Sequence, residues 1–209
     1  MTIDYEFDAP GDIERTTGVL GIVRERVESI NGLRVLDLAC RTGAFSRTFA
    51  EAGASVLGIE GKRANFDRIP EAISAVFVLD DVRNLSIMNY GMFDVTLCLG
   101  ILYHLEAYDA LHLLGQMREV TEPGGIAVID THVGASHSVV SVGPGTYQGN
   151  YYNEGSDGPW SALGNQFSFW FTPESLRQAC RDAGWSQVEE HPGIRWPGEP
   201  QGRYWLVLS

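Results

Sequence analysis

Positive charge is scarce in this chain. Across 209 residues, 15 lysines and arginines face 27 aspartates and glutamates, a formal net charge of −12. A field of that sign repels polyphosphate unless cations gather locally, and no basic cluster is visible, so nucleic acid is not an expected partner. Cysteine is scarcer still. Cys40, Cys98 and Cys180 lie far apart, without the spacing of a disulfide framework or of metal ligands, and are expected to be reduced structural thiols with no metal centre. No apolar run is long enough to span a bilayer, and the start Met-Thr-Ile-Asp-Tyr-Glu has neither a basic region nor a long apolar core. The expectation is a cytoplasmic protein with no membrane partner. Repeats and low-complexity tracts are absent.

What is present is organised around the stretch Arg34 to Ser46. Val35, Leu36 and Leu38 form a β-rich apolar run, Asp37 interrupts it near its end, and Gly43 opens a helix through Phe49 and Ala50. A strand, a tight turn and a helix at the carboxyl edge of a parallel sheet present backbone N–H groups and a fixed carboxylate to a small ligand. Glycine is thin here, however. Ala39 and Arg41 stand where nucleotide-type fingerprints usually place glycines, leaving only Gly43, so the stretch alone also reads as an ordinary buried strand and helix cap.

The strands that follow add an ordered set of acids. Ala54 to Ile59 ends in Glu60, about 20 residues beyond Asp37, the distance at which an acid can accept hydrogen bonds from both ribose hydroxyls. Ala75 to Leu79 ends in Asp80 and Asp81, and Phe93 to Leu99 runs into Gly100-Ile-Leu-Tyr-His-Leu105. An amphipathic helix follows between Asp109 and Val120, with Leu111, Leu113, Leu114 and Met117 on its apolar face. Glu122-Pro-Gly-Gly125 then turns into a fifth strand, Ala127 to Thr131, followed by His132. In order and spacing, the Val35 to Gly43 loop, Glu60, Asp80-Asp81-Val82, the Phe93 to Leu105 segment and Pro123-Gly124-Gly125 resemble the class I S-adenosylmethionine-dependent methyltransferases over residues 33 to 131.

That resemblance implies an α/β fold, a Rossmann-like doubly wound sheet of seven strands, mostly parallel with the seventh antiparallel, and S-adenosyl-L-methionine as cofactor. It assigns Glu60 to the ribose, Asp81 with the Val82 backbone to adenine, and the loop of Ala39, Arg41 and Gly43 to the methionine part. Asp37 orients that loop, and Leu99 and Gly100 complete the edge. Arg41 departs from the pattern, because its Cβ restricts φ and its side chain either crowds the ligand, points outward or pairs with Glu60. The resemblance also puts the methyl-transfer site after the fourth strand, where Tyr103 packs on substrate or shapes the methyl end and His104 takes a proton from a hydroxyl. His132, beside Asp130, is a second proton-handling candidate. A base is required only if the acceptor is protonated at working pH, and His104 reads equally as a packed structural histidine.

The flanks are read more coarsely. Residues 1 to 32 form an N-terminal helical cap, with Val19, Leu20, Ile22, Val23, Val27 and Ile30 largely at helical spacing; it either covers the sheet or closes over the cofactor, with Tyr5 and Arg15 the residues to follow. Residues 133 to 171 interleave glycines with Tyr147, Tyr151, Tyr152, Trp160, Phe167, Phe169, Trp170 and Phe171. They read as a long loop that walls an acceptor pocket, acts as a lid or covers core hydrophobics. Their Tyr147-x-Gly149-x-Tyr151-Tyr152 pattern and the run from Asn165 to Leu176 resemble the transfer-RNA wobble-uridine carboxymethyl transferases, whose polyanionic substrate does not suit this charge. Thr172 and Pro173 start a helix ending at Gly184. Trp185 to His191 and Arg203 to Leu208 are the last two strands, an antiparallel hairpin joined by a loop around Trp196, with His191 and Arg195 on the surface. At this length, with 44% hydrophobic residues, residues 1 to 209 are expected to form one domain.

The expected activity is methyl transfer to an oxygen or nitrogen of a small molecule, by a monomer or a homodimer. Two other classes stay open. One keeps the cofactor without methylating, as a cyclase, a carboxymethyl transferase or a binding partner of another enzyme. The other, a nicotinamide-binding dehydrogenase, fits Glu60 but lacks the glycine fingerprint.

Overall fold

The computed structural model describes residues 12–143, 145–155, 162–194 and 203–209. The readings placed on Tyr5, Trp160, Arg195 and the loop around Trp196 lie outside the described residues. In chain order the first half comprises α1 (Asp12–Arg24), β1 (Arg34–Leu38), α2 (Ala44–Glu51), β2 (Ser55–Glu60), α3 (Arg63–Phe66), β3 (Val76–Leu79), α4 (Ile87–Tyr90) and β4 (Phe93–Leu99). The second half comprises α5 (Ala107–Val120), β5 (Thr121–His132), β6 (Ser138–Val142), β7 (Gly145–Asn153), β8 (Phe167–Phe171), α6 (Pro173–Asp182), β9 (Val188–His191) and β10 (Arg203–Leu208).

Seven strands form one sheet in the order β3-β2-β1-β4-β5-β10-β9. The pairs from β3 through β5 are parallel, while β10 runs antiparallel to both β5 and β9. This is the Rossmann-like sheet expected from the sequence, its last strand reversed. Consecutive residues bury opposite faces: Val35, Val56, Val95 and Val128 pack with α1 and α2, whereas Leu36, Cys98, Ala127 and Leu206 pack with α5 and α6. Burial on both faces explains why these strands read as unbroken apolar runs rather than as alternating ones.

The register fixes which residues share an edge. Leu38 lies level with Ile59 and Cys98, Leu99 level with Asp130, and His132 level with Arg203. The carboxyl ends of β1, β2, β4 and β5 and the start of β10 therefore meet on one side. Chain order reverses between β1 and β4, and such a switch point leaves a crevice between diverging connections.

Two expectations change. The glycine pattern of residues 133 to 171 predicts a long loop, yet β6, β7 and β8 form a separate antiparallel sheet in which Val140 opposes Tyr147 and Tyr151 opposes Phe169. Tyr147, Phe169 and Phe171 are buried against the main core, and that burial holds a segment whose glycines argue locally against strands. Its ends are clasped, since the Gly134 amide donates to the Phe171 carbonyl at 2.8 Å. The turn at Glu122 to Gly125 is instead carried inside β5, where the register against β4 shifts between Phe93 and Val95. At the start of α6, by contrast, Pro173 stands in the first turn and Thr172 Oγ1 accepts from the Ser175 amide at 3.2 Å, as the sequence indicated.

Candidate active site

A cleft opens at this switch point, with roughly 1100 Å³ of empty space including its mouth. Asp37, Ala39, Arg41, Glu60, Asp81, Val82, Leu99, Gly100, Tyr103 and His104, all singled out from the sequence, line it together. Gly43 and His132 are not among its lining residues.

The loop after β1 keeps the backbone shape that glycines would allow. Ala39, Arg41 and Gly43 have φ of 54°, 53° and 79°, so two side-chain-bearing residues occupy the left-handed region. The Arg41 amide donates to Glu60 Oε2 at 2.9 Å, which supplies one force holding the strained turn. Gly43 supports the turn from outside the cleft, where an added Cβ would stand 3.1 Å from both Ile73 and Phe77. Left-handed geometry costs an L-residue about 1–2 kcal/mol, while glycine gives back part of that in unfolded-chain entropy. Ala39→Gly is therefore expected to stabilise the protein by about 0.5–1 kcal/mol in urea unfolding.

Asp37 lies beneath this loop, 1% exposed, and accepts from Ser46 Oγ at 2.6 Å. Burial pushes its carboxyl up from 3.8 to about 6, against the hydrogen bonds from Ser46 and with the negative charge of Glu60 adding to the rise. The folded protein thus holds a proton that the unfolded chain has released between these values, and stability falls as pH rises through that window. Above it the charged form costs about 3 kcal/mol. Asp37→Asn is expected to recover much of this cost at pH 7.5 and to flatten the dependence of the urea midpoint between pH 4 and 6.

Glu60, 4% exposed, ties the loop after β1 to the start of α3. Its Oε1 accepts from the Lys62 amide at 2.7 Å and from Asn65 Nδ2 at 3.2 Å, and its Oε2 accepts from Arg41. Asn65 Oδ1 is buried without a hydrogen-bond partner among the described residues. Farther along, Asp81 caps a 3-10 turn at Val82–Asn84 and binds Arg83 through both carboxylate oxygens. Arg83 Nη2 also donates to the Leu163 carbonyl at 2.9 Å, holding the residues ahead of β8 at the cleft. Leu163 lies so close to Gly61 that an added Cβ there would stand 2.6 Å from its Cδ2.

At the opposite end, Asp130 is fully buried and its Oδ2 accepts from Arg15 Nε, Arg15 Nη2 and Arg203 Nη1. Arg15 comes from α1 and Arg203 from the first position of β10. The N-terminal helix therefore covers one sheet face and also reaches the cleft. An atom added to Gly100 would meet Arg15 Nη2 at 3.4 Å, Arg203 Nη1 at 3.7 Å and the Tyr103 hydroxyl at 3.8 Å, so three polar groups converge there. Arg203 Nε is buried without an acceptor among the described residues. Neither Arg203 nor this convergence was singled out in the sequence. The available signal was that an antiparallel strand beside β5 must begin where β5 ends.

His132 sits behind Tyr103, with ring centroids 4.7 Å apart, and stacks on Trp170 at 5.1 Å. Burial, followed by the Arg203 charge, pushes it down to about 4, so it is neutral at physiological pH. His104 occupies the cleft wall with its Nδ1 2.7 Å from Glu154 Oε2. Cys40, Cys98 and Cys180 are free and buried, and burial raises each thiol. Among the described residues no helix is long and apolar enough to cross a membrane.

Comparison with known proteins places this architecture. A family model described as a methyltransferase domain matches residues 16–190. Ubiquinone biosynthesis O-methyltransferase of Proteus mirabilis is 26% identical over 149 residues, 64% of this chain and 60% of its own length. The enzyme of that name from Bordetella pertussis is 29% identical over 117 residues, 54% of this chain and 48% of its own length. The chain thus spans about half to three fifths of the curated relatives it matches. Among solved structures, the N-terminal domain of EvdMO1 with SAH bound aligns with a TM-score of 0.73 at 23% identity, covering 98% of this chain and 82% of that one. The glycopeptide N-methyltransferase MtfA, complexed with S-adenosyl-L-methionine, aligns at 0.63 and 14% identity, covering 93% of each chain. With a family match over most of its length and the seven-stranded sheet described above, the chain belongs to the methyltransferase domain family, in its class I S-adenosylmethionine-dependent form.

Proposed function

We propose that the cleft binds S-adenosyl-L-methionine and that the protein transfers its methyl group to an oxygen or nitrogen of a small molecule. The observation that carries this reading is the chemistry of Asn65 Oδ1 and Arg203 Nε, two buried atoms on cleft-lining residues. Among the described residues Asn65 Oδ1 has no donor and Arg203 Nε has no acceptor, and they belong to residues near opposite ends of the cleft. A ribose diol supplies donors and an amino-acid carboxylate supplies an acceptor, so the residues present fit this cofactor.

Glu60 would hold one ribose hydroxyl through the remaining acceptor position on Oε2, and Asn65 the other. Val82 and Asp81 border the adenine end. Arg15 and Arg203 receive the carboxylate, with Asp130 holding both guanidiniums in place. When bound, the cofactor supplies a methyl carbon made electrophilic by its attachment to a sulfonium. Tyr103 shapes the acceptor end of the cleft, and His104 is the side chain placed to handle a proton there. Positioning dominates such a reaction, because an in-line attack needs nucleophile, carbon and leaving sulfur held in register. The names of the relatives and fold neighbours, which include O- and N-methyltransferases, support a small acceptor.

Two measurements test the reading. Calorimetry with S-adenosylhomocysteine is expected to give saturable heat that Arg203→Met weakens about tenfold, the loss of one charge-assisted hydrogen bond. Purified protein incubated with methyl-labelled cofactor and a panel of phenols, sugars and amines should move label to an acceptor. Absence of heat sinks cofactor binding; heat with cofactor consumed and the label never transferred returns the protein to the non-methylating class.

A further inference from the structure

The inserted sheet brings a carboxylate to the acceptor end of the cleft. Glu154 follows β7, is 3% exposed at its side chain, and accepts at Oε2 from the Ala162 amide at 3.1 Å as well as contacting His104. Its neighbour Asn165 donates through Nδ2 to the His104 carbonyl at 3.0 Å, and the Phe169 amide donates to the Leu105 carbonyl at 2.9 Å. The insertion therefore grips both the backbone and the ring of His104. Burial alone would raise the Glu154 carboxyl, but hydrogen bonds from His104 and the Ala162 amide hold it below the usual carboxylate range. It is a carboxylate at neutral pH and can only accept.

A ring nitrogen facing an obligate acceptor must carry the proton. In neutral His104 that nitrogen is Nδ1, which leaves Nε2 unprotonated on a ring lining the cleft, with no hydrogen-bond partner among the described residues. We infer that Glu154 is a positioning residue that fixes His104 as the general base for a hydroxyl-bearing acceptor, so that the enzyme is an O-methyltransferase whose base is completed by its insertion. This rests on the methyl-transfer reading above. His104 Nε2 takes the hydroxyl proton as the acceptor oxygen bonds to the methyl carbon. The carbon–sulfur bond breaks with its electron pair left on sulfur, and the imidazolium, stabilised by Glu154, then passes its proton to solvent. An amine acceptor that is already neutral has no need of this arrangement; a hydroxyl with a pKa well above the working pH does.

Long-range nitrogen–proton NMR on histidine-labelled protein at pH 8, with and without S-adenosylhomocysteine, reads the tautomer of His104 directly, with His104→Asn providing the assignment. The Nδ1–H form is expected in the wild type, shifting to Nε2–H in Glu154→Ala. Glu154→Gln, which keeps the side-chain volume if the alanine variant fails to fold, retains an acceptor for Nδ1–H but loses the charge. It should lower kcat on a phenol panel by about 10²-fold while leaving the acceptor KM and the S-adenosylhomocysteine affinity within about twofold. An Nε2–H wild type, an unaltered tautomer in Glu154→Ala, or methylation confined to the amines of a parallel panel each overturns the inference. Missing calorimetric heat would instead strike at cofactor binding, because the tautomer remains readable in ligand-free protein.

Discussion

Replacing Asp130 with alanine is expected to destabilise the protein by about 3–5 kcal/mol, the largest effect of any single substitution at the cleft. The reason lies in what remains behind. Asp130 is fully buried and holds Arg15 and Arg203, whose side chains are 12% and 9% exposed. Removing the carboxylate leaves two guanidiniums in a low-dielectric site without their shared counter-charge. Asp130→Asn keeps the volume and one acceptor oxygen and should recover only part of the loss. The combination Asp130→Ala with Arg203→Met should lose less than the sum of the two single changes, because the second substitution removes a charge the first has stranded. Urea unfolding of the four proteins at pH 7.5 gives the cycle, and strictly additive losses would mean that the two side chains are not coupled.

Glu60→Ala carries the second large effect, and it acts on stability and binding together. Three N–H groups lose their shared acceptor, which costs at least about 2 kcal/mol. One of them is the Arg41 amide, so the left-handed loop after β1 loses the bond that holds it. Affinity for S-adenosylhomocysteine is expected to fall by about 10²-fold, from the missing ribose acceptor and the loosened loop combined. Asp81→Ala should cost less in binding, since its carboxylate is already satisfied by Arg83 in this structure. Calorimetry on both variants checks the order, and an Asp81 effect larger than that of Glu60 would reverse the assignment of the ribose contact.

Much of this was legible from the residues. Strands buried on both faces announce themselves as short apolar runs, and the acids that close them, Glu60 and Asp81, follow directly. The left-handed backbone at Ala39 and Arg41 was not legible, because neither residue favours it; the Glu60 bond that helps hold it comes from 19 residues away. Arg203 escaped notice for a similar reason. Its place depends on the register of β10 against β5, 73 residues distant from Asp130, and local pattern carries no such information. The strands of the insertion were hidden by glycine, and Glu154 by appearing as one acid among 27 Asp and Glu. Only the pairing of β7 with β8 returns it to His104.

The clasp between Gly134 and Phe171 has a consequence for how such a protein can change. The chain leaves the main sheet after β5 and enters α6 just past Phe171, so the inserted segment begins and ends side by side. Because Tyr147, Phe169 and Phe171 are part of the main core, any replacement segment must refill that space while it reshapes the wall that greets the acceptor. A graft between these two ends is therefore expected to fold only if it carries the three aromatic plugs with it.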